Sequence, residues 1–335
     1  MIIKPWPQRP DYELTVAMAE EALQTLAPYG LETPLLPSAS LSELLGRPVF
    51  LKCENRQRTG SFKVRGAVVR LSRFGREERH RGVVAASAGN HALGVAWACR
   101  HLGIPGLVVL PEGTPRCKRA ALQEMMIKVR LHGDGYDQAE AHARHIAEEA
   151  EATFVSPFDD AWVMAGNGGS VGLEIKRQLP DVSAVVTPVG GGGLAVGLAV
   201  ALAGVPVLGV NSAASPAMAR SLAERQVYCT FDPQPTLAEG LEGGVSPSSA
   251  WLCAKHLAGV TIVAEGSLAL AIRHAARHEK QVLEGSGAAA IAAVLEARPL
   301  TGQAAPDALA IPGEGPLCLV LTGRNIDREQ LRPLL

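Results

Sequence analysis

Apolar and polar positions alternate in two rhythms along this chain, and the rhythms predict its elements. Leu14, Met18, Ala22, Leu23 and Leu26 recur at helical spacing, which predicts an amphipathic helix over 12–29 ending near Pro28-Tyr29-Gly30. Residues 33–37 read as extended, 41–45 as a short helix stopped by Gly46, and 49–53 as a strand. That strand leads to Glu54-Asn55 and the turn Thr59-Gly60-Ser61, after which a helix runs from Lys63 to about Arg73. Short, mainly apolar runs at 82–86, 106–110 and 152–155, and the stretch 128–131, then predict strands. The stretches between them, through Cys99, around Pro115–Met125 and over 136–151, predict helices. A second series begins at Pro157. Its strands fall at 184–188, 206–210, 259–263 and 317–321. Its helices fall at 165–179, after a glycine run to about Leu202, at 248–256, at 267–278 and from Ser286. Residues 211–247 carry several Pro and Ser and read as loose.

Strands alternating with helices imply parallel βαβ units, so the expected fold class is α/β: two domains, each with an open, mainly parallel twisted sheet flanked by helices. Right-handed crossovers gather the strand-to-helix loops at one sheet edge, where ligands bind in such folds. The pattern shifts near 80 and 158. A large domain of 1–79 with 159–335 and a small domain of 80–158 are therefore expected.

Composition narrows the partners. The net charge of −1 draws the chain to neither nucleic acid nor an anionic membrane. No apolar stretch has spanning length, since 184–210 is broken by Pro188, the glycines and Pro206. The start Met1-Ile2-Ile3-Lys4-Pro5-Trp6-Pro7 does not read as a secretory signal. The cysteines (Cys53, Cys99, Cys117, Cys229, Cys253, Cys318) form no CxxC pair, which argues for reduced thiols in a cytoplasmic setting and against a zinc site. Aromatics are only 4%, which suits close-packed helices and strands more than an aromatic-rich sandwich.

Four motifs could carry chemistry. Lys63 follows a turn, sits among small and apolar neighbours, and opens a helix whose positive end disfavours its ammonium form. A neutral amine can attack a carbonyl and form a Schiff base. Taken alone it fits a snorkelling surface lysine better. Ser87-Ala88-Gly89-Asn90-His91 joins a strand to a helix, where free N–H groups can take a carboxylate. Alone it fits a plain helix cap, with His91 a packing or capping residue. Gly190-Gly191-Gly192-Gly193 lets backbone N–H groups approach an anion and points to phosphate. It matches neither GxGxxG nor a Walker A loop. Thr322-Gly323-Arg324-Asn325 offers a hydroxyl at a strand end and reads equally as a turn cap.

A Schiff-base lysine beside a phosphate site describes pyridoxal 5'-phosphate. The stretches 59–67, 87–94, 190–194 and 322–327 together resemble the fold-type II pyridoxal-phosphate enzymes, and within them the serine/threonine dehydratase group. Pro157-Phe158-Asp159-Asp160, Thr236-Leu237-Ala238-Glu239-Gly240-Leu241 and Glu284-Gly285-Ser286-Gly287-Ala288 match in the same order. The resemblance implies that Lys63 carries the cofactor and, once freed, takes the Cα proton. It implies that Phe62 flanks the ring, Asn90 bonds its phenolic oxygen, Gly190–Leu194 hold the phosphate and Thr322 faces the ring nitrogen. Glu284 belongs beside the ring, and Ser87 with the backbone of Ala88, Gly89, Asn90 and His91 belongs at the substrate carboxylate. A neutral hydroxyl at the ring nitrogen favours β-elimination over transamination. The implied activity is dehydration and deamination of L-threonine or L-serine to a 2-keto acid and ammonia, by a cytoplasmic homodimer.

Departures bear on the substrate. Ala88 replaces the second serine of racemase members, Leu93 a usual Gln, and Gly166-Asn167-Gly168-Gly169 the usual Gly-Gln-Gly-Thr. Arg324 puts a long cation where Ser-Gly-Gly is commoner, near the cofactor end. Asn211, Ser215 and Ala217 stand where some relatives hold a divalent cation, so no metal is expected. A lyase or β-replacement enzyme for another β-substituted amino acid, such as a diaminopropionate lyase, would use the same Lys63. A non-catalytic relative would bind cofactor alone. A nucleotide-binding dehydrogenase would use the glycine run but wants an acidic residue after the next strand, where Asn211 stands.

Overall fold

A strand covered on both faces must be apolar at successive positions, and the main sheet is built of such strands. In the computed structural model, which describes residues 1–114, 116–297 and 310–335, six strands form that sheet. Their spatial order is Gly259–Val263, Val207–Ser212, Ala184–Pro188, Leu317–Val320, Val49–Lys52 and Leu35–Pro37. All neighbours run parallel except the last pair. Leu317 and Leu319 pack with the helices Glu265–Arg277 and Gly285–Ala297, while Cys318 and Val320 pack with Ser170–Gln178 and Gly193–Ala201. Each fully buried leucine in such a layer contributes roughly 1.5–3 kcal/mol.

A second, wholly parallel sheet has the order Lys128–Leu131, Gly106–Leu110, Val83–Ala86, Thr153–Phe154. Val84, Ala86 and Val109 meet Ala139, Ala143 and Ala147 of the helix Tyr136–Glu149 on one face. Ala85, Val108 and Leu110 share the other with Val95, Ala96 and Cys99 of the helix Asn90–Leu102. The expected α/β class, with mainly parallel sheets flanked by helices, is what the chain adopts.

Several elements differ from expectation, for local reasons. The first helix is Val16–Leu26 because the Thr15 hydroxyl accepts from the Met18 N–H and caps it, which leaves Tyr12 outside. The helix expected at 165–179 begins at Ala161, capped by Asp160, and passes through a π-helical turn, Ala165–Gly169, before Ser170–Gln178. Asn167 Oδ1 accepts from the Gly66 N–H at 2.8 Å in that turn. The loose stretch 211–247 contains the helix Ala217–Glu224 and the strand Gln226–Tyr228, whose antiparallel partner is Ile3–Pro5. The polar helix Arg76–Arg81 has no apolar rhythm to announce it. Pro115 and the Cys117 side chain lie outside the described residues.

Beneath the sheet edge lies a buried charge cluster that no local pattern in the sequence reveals. Lys52, Glu54, Arg65 and Glu174 are all 0–1% exposed. Lys52 Nζ donates to Glu174 Oε2 at 2.6 Å and Arg65 Nη1 to Glu174 Oε1 at 2.6 Å. Two cations face two carboxylates, so no buried charge is left over. Burial alone would raise the Glu54 carboxyl, yet the Arg65 guanidinium holds it below the usual range.

Candidate active site

Lys63 is the first residue of the helix Lys63–Ser72, two residues before Arg65. The helix Asn90–Leu102 crosses it at Gly94, where a Cβ would stand 2.9 Å from the Lys63 carbonyl carbon. Lys63 Nζ donates to the Pro157 carbonyl at 2.9 Å and lies 5.2 Å from the centre of the Phe62 ring. Burial pushes its amine down from the usual value to about 8.

The helix contact at Gly94 brings the second motif alongside. Ser87 Oγ accepts from the Gly89 N–H at 3.1 Å, and Ala88 is half-buried beside it. Asn90 is used at both ends: Nδ2 donates to Glu284 Oε1 at 2.6 Å, and Oδ1 accepts from Asn325 Nδ2 at 2.6 Å. His91 points into the core, with Nε2 2.9 Å from the Val155 carbonyl. Burial, reinforced by Lys63, holds its ring down to about 3, so it is neutral and Nε2–H is the donor. His91 Nδ1 and Ser61 Oγ are buried without a partner.

Gly190–Gly193 follow the strand Ala184–Pro188, and Gly193 opens the next helix with Leu194 buried behind it. A Cβ on Gly191 would sit 2.2 Å from the Phe158 ring, and one on Gly193 2.9 Å from the Phe158 carbonyl oxygen. Gly192 has φ +92°, and a Cβ there would be 2.6 Å from Cys253 Sγ. Gly191, Gly192 and Gly193 are thus bare backbone by necessity, with Phe158 closing one side.

The fourth motif joins the first. Gly323 bridges Ser61, the Arg324 N–H donates to the Gly60 carbonyl at 2.9 Å, and Asn325 Nδ2 donates to the Thr59 carbonyl at 2.8 Å. Thr322 is buried and its hydroxyl lies 3.4 Å from the Ser286 carbonyl. The Arg324 side chain is exposed. A cavity of about 50 Å³ lies between Glu239, Gly240, Glu284, Ser286 and Asn325.

All four motifs therefore meet, through Lys63, Asn90, the glycine run's neighbour Phe158 and Gly323. Sequence reasoning missed the parts played by the Pro157 carbonyl, Phe158 and Asn325. Each stands in a motif visible in the sequence, but its contact partner is remote along the chain.

A family model described as "Pyridoxal-phosphate dependent enzyme" matches residues 26–320. The chain is 40% identical over 319 residues to an L-threonine ammonia-lyase of Thermotoga maritima, covering 94% of this chain and 76% of that one. It is similar to the solved processed form of threonine deaminase isoform 2 from Solanum lycopersicum, with TM-score 0.83, 32% identity, and coverage of 100% and 91%. It is also similar to maize serine racemase, with TM-score 0.85, 26% identity, and coverage of 96% and 97%.

Proposed function

The chain belongs to the pyridoxal-phosphate dependent enzyme family, and on that premise we propose that it dehydrates and deaminates a β-hydroxy amino acid such as L-threonine or L-serine, releasing a 2-keto acid and ammonia. The ammonia-lyase and the threonine deaminase it resembles support that reaction class. Family membership displaces the dehydrogenase reading of the glycine run.

One observation carries the reading. The two-residue segment Pro157-Phe158 holds the Lys63 amine through the Pro157 carbonyl and seats the Phe158 ring against Gly191. An amine of lowered basicity thus stands beside a bare run of backbone that can hold an anion, and these residues fit the cofactor. Lys63 would hold the cofactor's aldehyde, Gly190–Leu194 its phosphate, and Phe62 its ring face. Asn90, positioned by Glu284 and Asn325, would bond its phenolic oxygen. When bound, the cofactor supplies the electron sink that makes the Cα proton acidic.

The chain's residues do the rest. Ser87 with the N–H groups of Ala88, Gly89, Asn90 and His91 would orient the substrate carboxylate at the start of a 13-residue helix. Lys63, whose amine burial pushes down to about 8, would take the Cα proton. Thr322 is neutral and cannot keep a ring nitrogen charged as a carboxylate would, which favours loss of the β-hydroxyl. Ala88 has no hydroxyl to deliver a proton to the opposite face. A β-substituent with a negative charge is the second reading, favoured by the exposed Arg324 next to Asn325.

We also propose that the two sheets mark two domains, 1–79 with 159–335 and 80–158. All four strands of the smaller sheet fall within 83–154, and those of the larger sheet fall outside it. A homodimer and a cytoplasmic setting go with the family reading, and sizing chromatography and cell fractionation test them.

The test of function is the visible spectrum with L-threonine and L-serine, beside Lys63→Ala. The expected result is a yellow wild type whose band shifts as keto acid forms, and a variant without the band. A wild type that pyridoxal 5'-phosphate cannot colour overturns the reading.

A further inference from the structure

The Pro157–Asp160 loop is fastened from outside the site. Asp160 caps the following helix through the N–H groups of Trp162 and Val163, and its Oδ2 takes Arg70 Nε at 2.8 Å. The loop's centre is held differently. The Tyr12 hydroxyl donates to Asp159 Oδ1 at 2.6 Å across 147 residues of chain, and the Asp159 N–H donates to Ser156 Oγ at 2.9 Å. Tyr12 precedes the first helix and is half-buried against the core. Burial, and then Asp159, keep its phenol protonated far above neutral pH, so the donor is always present.

The loop has little freedom to absorb a shift. The Phe158 ring and carbonyl touch Gly191 and Gly193 with no side chain between, and the Pro157 carbonyl meets Lys63 Nζ. Close-packed contacts pass a displacement on rather than dissipating it. We infer that Tyr12 is a positioning residue: through Asp159 it sets the loop that aligns both the glycine run and the Lys63 amine. The inference rests on the function proposed above and assigns the segment before the first helix a part in cofactor binding.

The test titrates apo-protein with pyridoxal 5'-phosphate, following tryptophan fluorescence, and records the pH midpoint of the visible band at saturation. Tyr12→Phe keeps the ring's packing and removes only the donor. It is expected to raise the Kd about tenfold, the scale of one hydrogen bond to a charged group, and to move the midpoint. Asp159→Asn, whose amide oxygen still accepts, should raise the Kd less. Thr15→Ala loosens the same segment by removing the helix cap without touching Asp159, and should leave both readouts near wild type. Two results overturn the inference: a Tyr12→Phe protein with wild-type Kd and midpoint, or a Thr15→Ala protein weakened as much as Tyr12→Phe. A wild type that binds no cofactor refutes the proposed function instead.

Discussion

Arg65 grips Glu54 with two parallel hydrogen bonds, Nε to Oε2 and Nη2 to Oε1, both 2.8 Å, and neither side chain is reached by water. The same guanidinium donates to Glu174, which also holds Lys52. The cluster anchors the helix that Lys63 opens, two residues from the amine.

Removing the fork should therefore be expensive. Arg65→Lys keeps the charge but cannot supply the fork on Glu54 and the bonds to Glu174 together, so buried carboxylate oxygens lose donors although Lys52 still pairs with Glu174. A loss of about 3 kcal/mol is expected by denaturant unfolding of the apo-protein. A variant as stable as wild type would mean that the cluster does not hold the helix.

Lys63 itself should cost stability. Its ordinary value of 10.5 falls to about 8 in the fold, so the folded state resists holding the proton. The cost is fully present below about pH 8 and fades as pH rises from 8 to 10.5. Lys63→Met should thus stabilise the apo-protein at pH 7 by about 2–3 kcal/mol, less at pH 9. Melting curves at both pH values check the sign; a destabilised variant at pH 7 would contradict it.

His91 works in the other pH range. Its ring falls from 6.5 to about 3 through burial and then Lys63, so the unfolded chain takes up a proton that the fold refuses. Stability is whole above pH 6.5 and drains as pH falls towards 3, by about 3 kcal/mol at pH 4. His91→Gln should flatten the stability difference between pH 7 and pH 4. An unchanged difference assigns the acid sensitivity elsewhere.

Gly191→Ala tests the glycine run. The new Cβ would start 2.2 Å from the Phe158 ring, so either the ring or the run must move. The expected result is at least a tenfold weaker hold on pyridoxal 5'-phosphate, with a loss of about 1–3 kcal/mol in apo-protein stability. Wild-type affinity would show that Phe158 yields freely.

The strands 106–110, 128–131, 184–188 and 259–263 were legible to the residue, because 128–131 alternates charged and apolar positions and the others are short, mainly apolar runs closed by turn residues. The helix from Lys63 and the glycine turn were legible for the same local reason. What stayed hidden was decided by partners far away in sequence. The strand Gln226–Tyr228 exists because Ile3–Pro5 pairs with it. The π-helical turn at Ala165–Gly169 answers to Gly66. Lys52 and Glu174 look like surface charges until their 122-residue separation closes to 2.6 Å. In the site, Lys63 alone reads as a surface lysine and stands out only beside the other three motifs and the family resemblance they carry, whereas the Pro157 carbonyl and Asn325 act through contacts that no local pattern shows.

The glycine run has a consequence for how such a protein can change over generations. The seat proposed for the cofactor's phosphate is made of main chain, and three of its four positions reject even one added carbon within 3 Å of a neighbour. Selection therefore has little to adjust there: sequence drift cannot retune the grip by degrees, only break it. Variation is left to positions in the neighbouring motifs whose side chains are not locked in close contact, such as the half-buried Ala88 and the exposed Arg324. On the function proposed above, holding the cofactor and choosing the substrate would fall under separate hereditary control, so a lineage could try new amino acids without risking the chemistry that handles them.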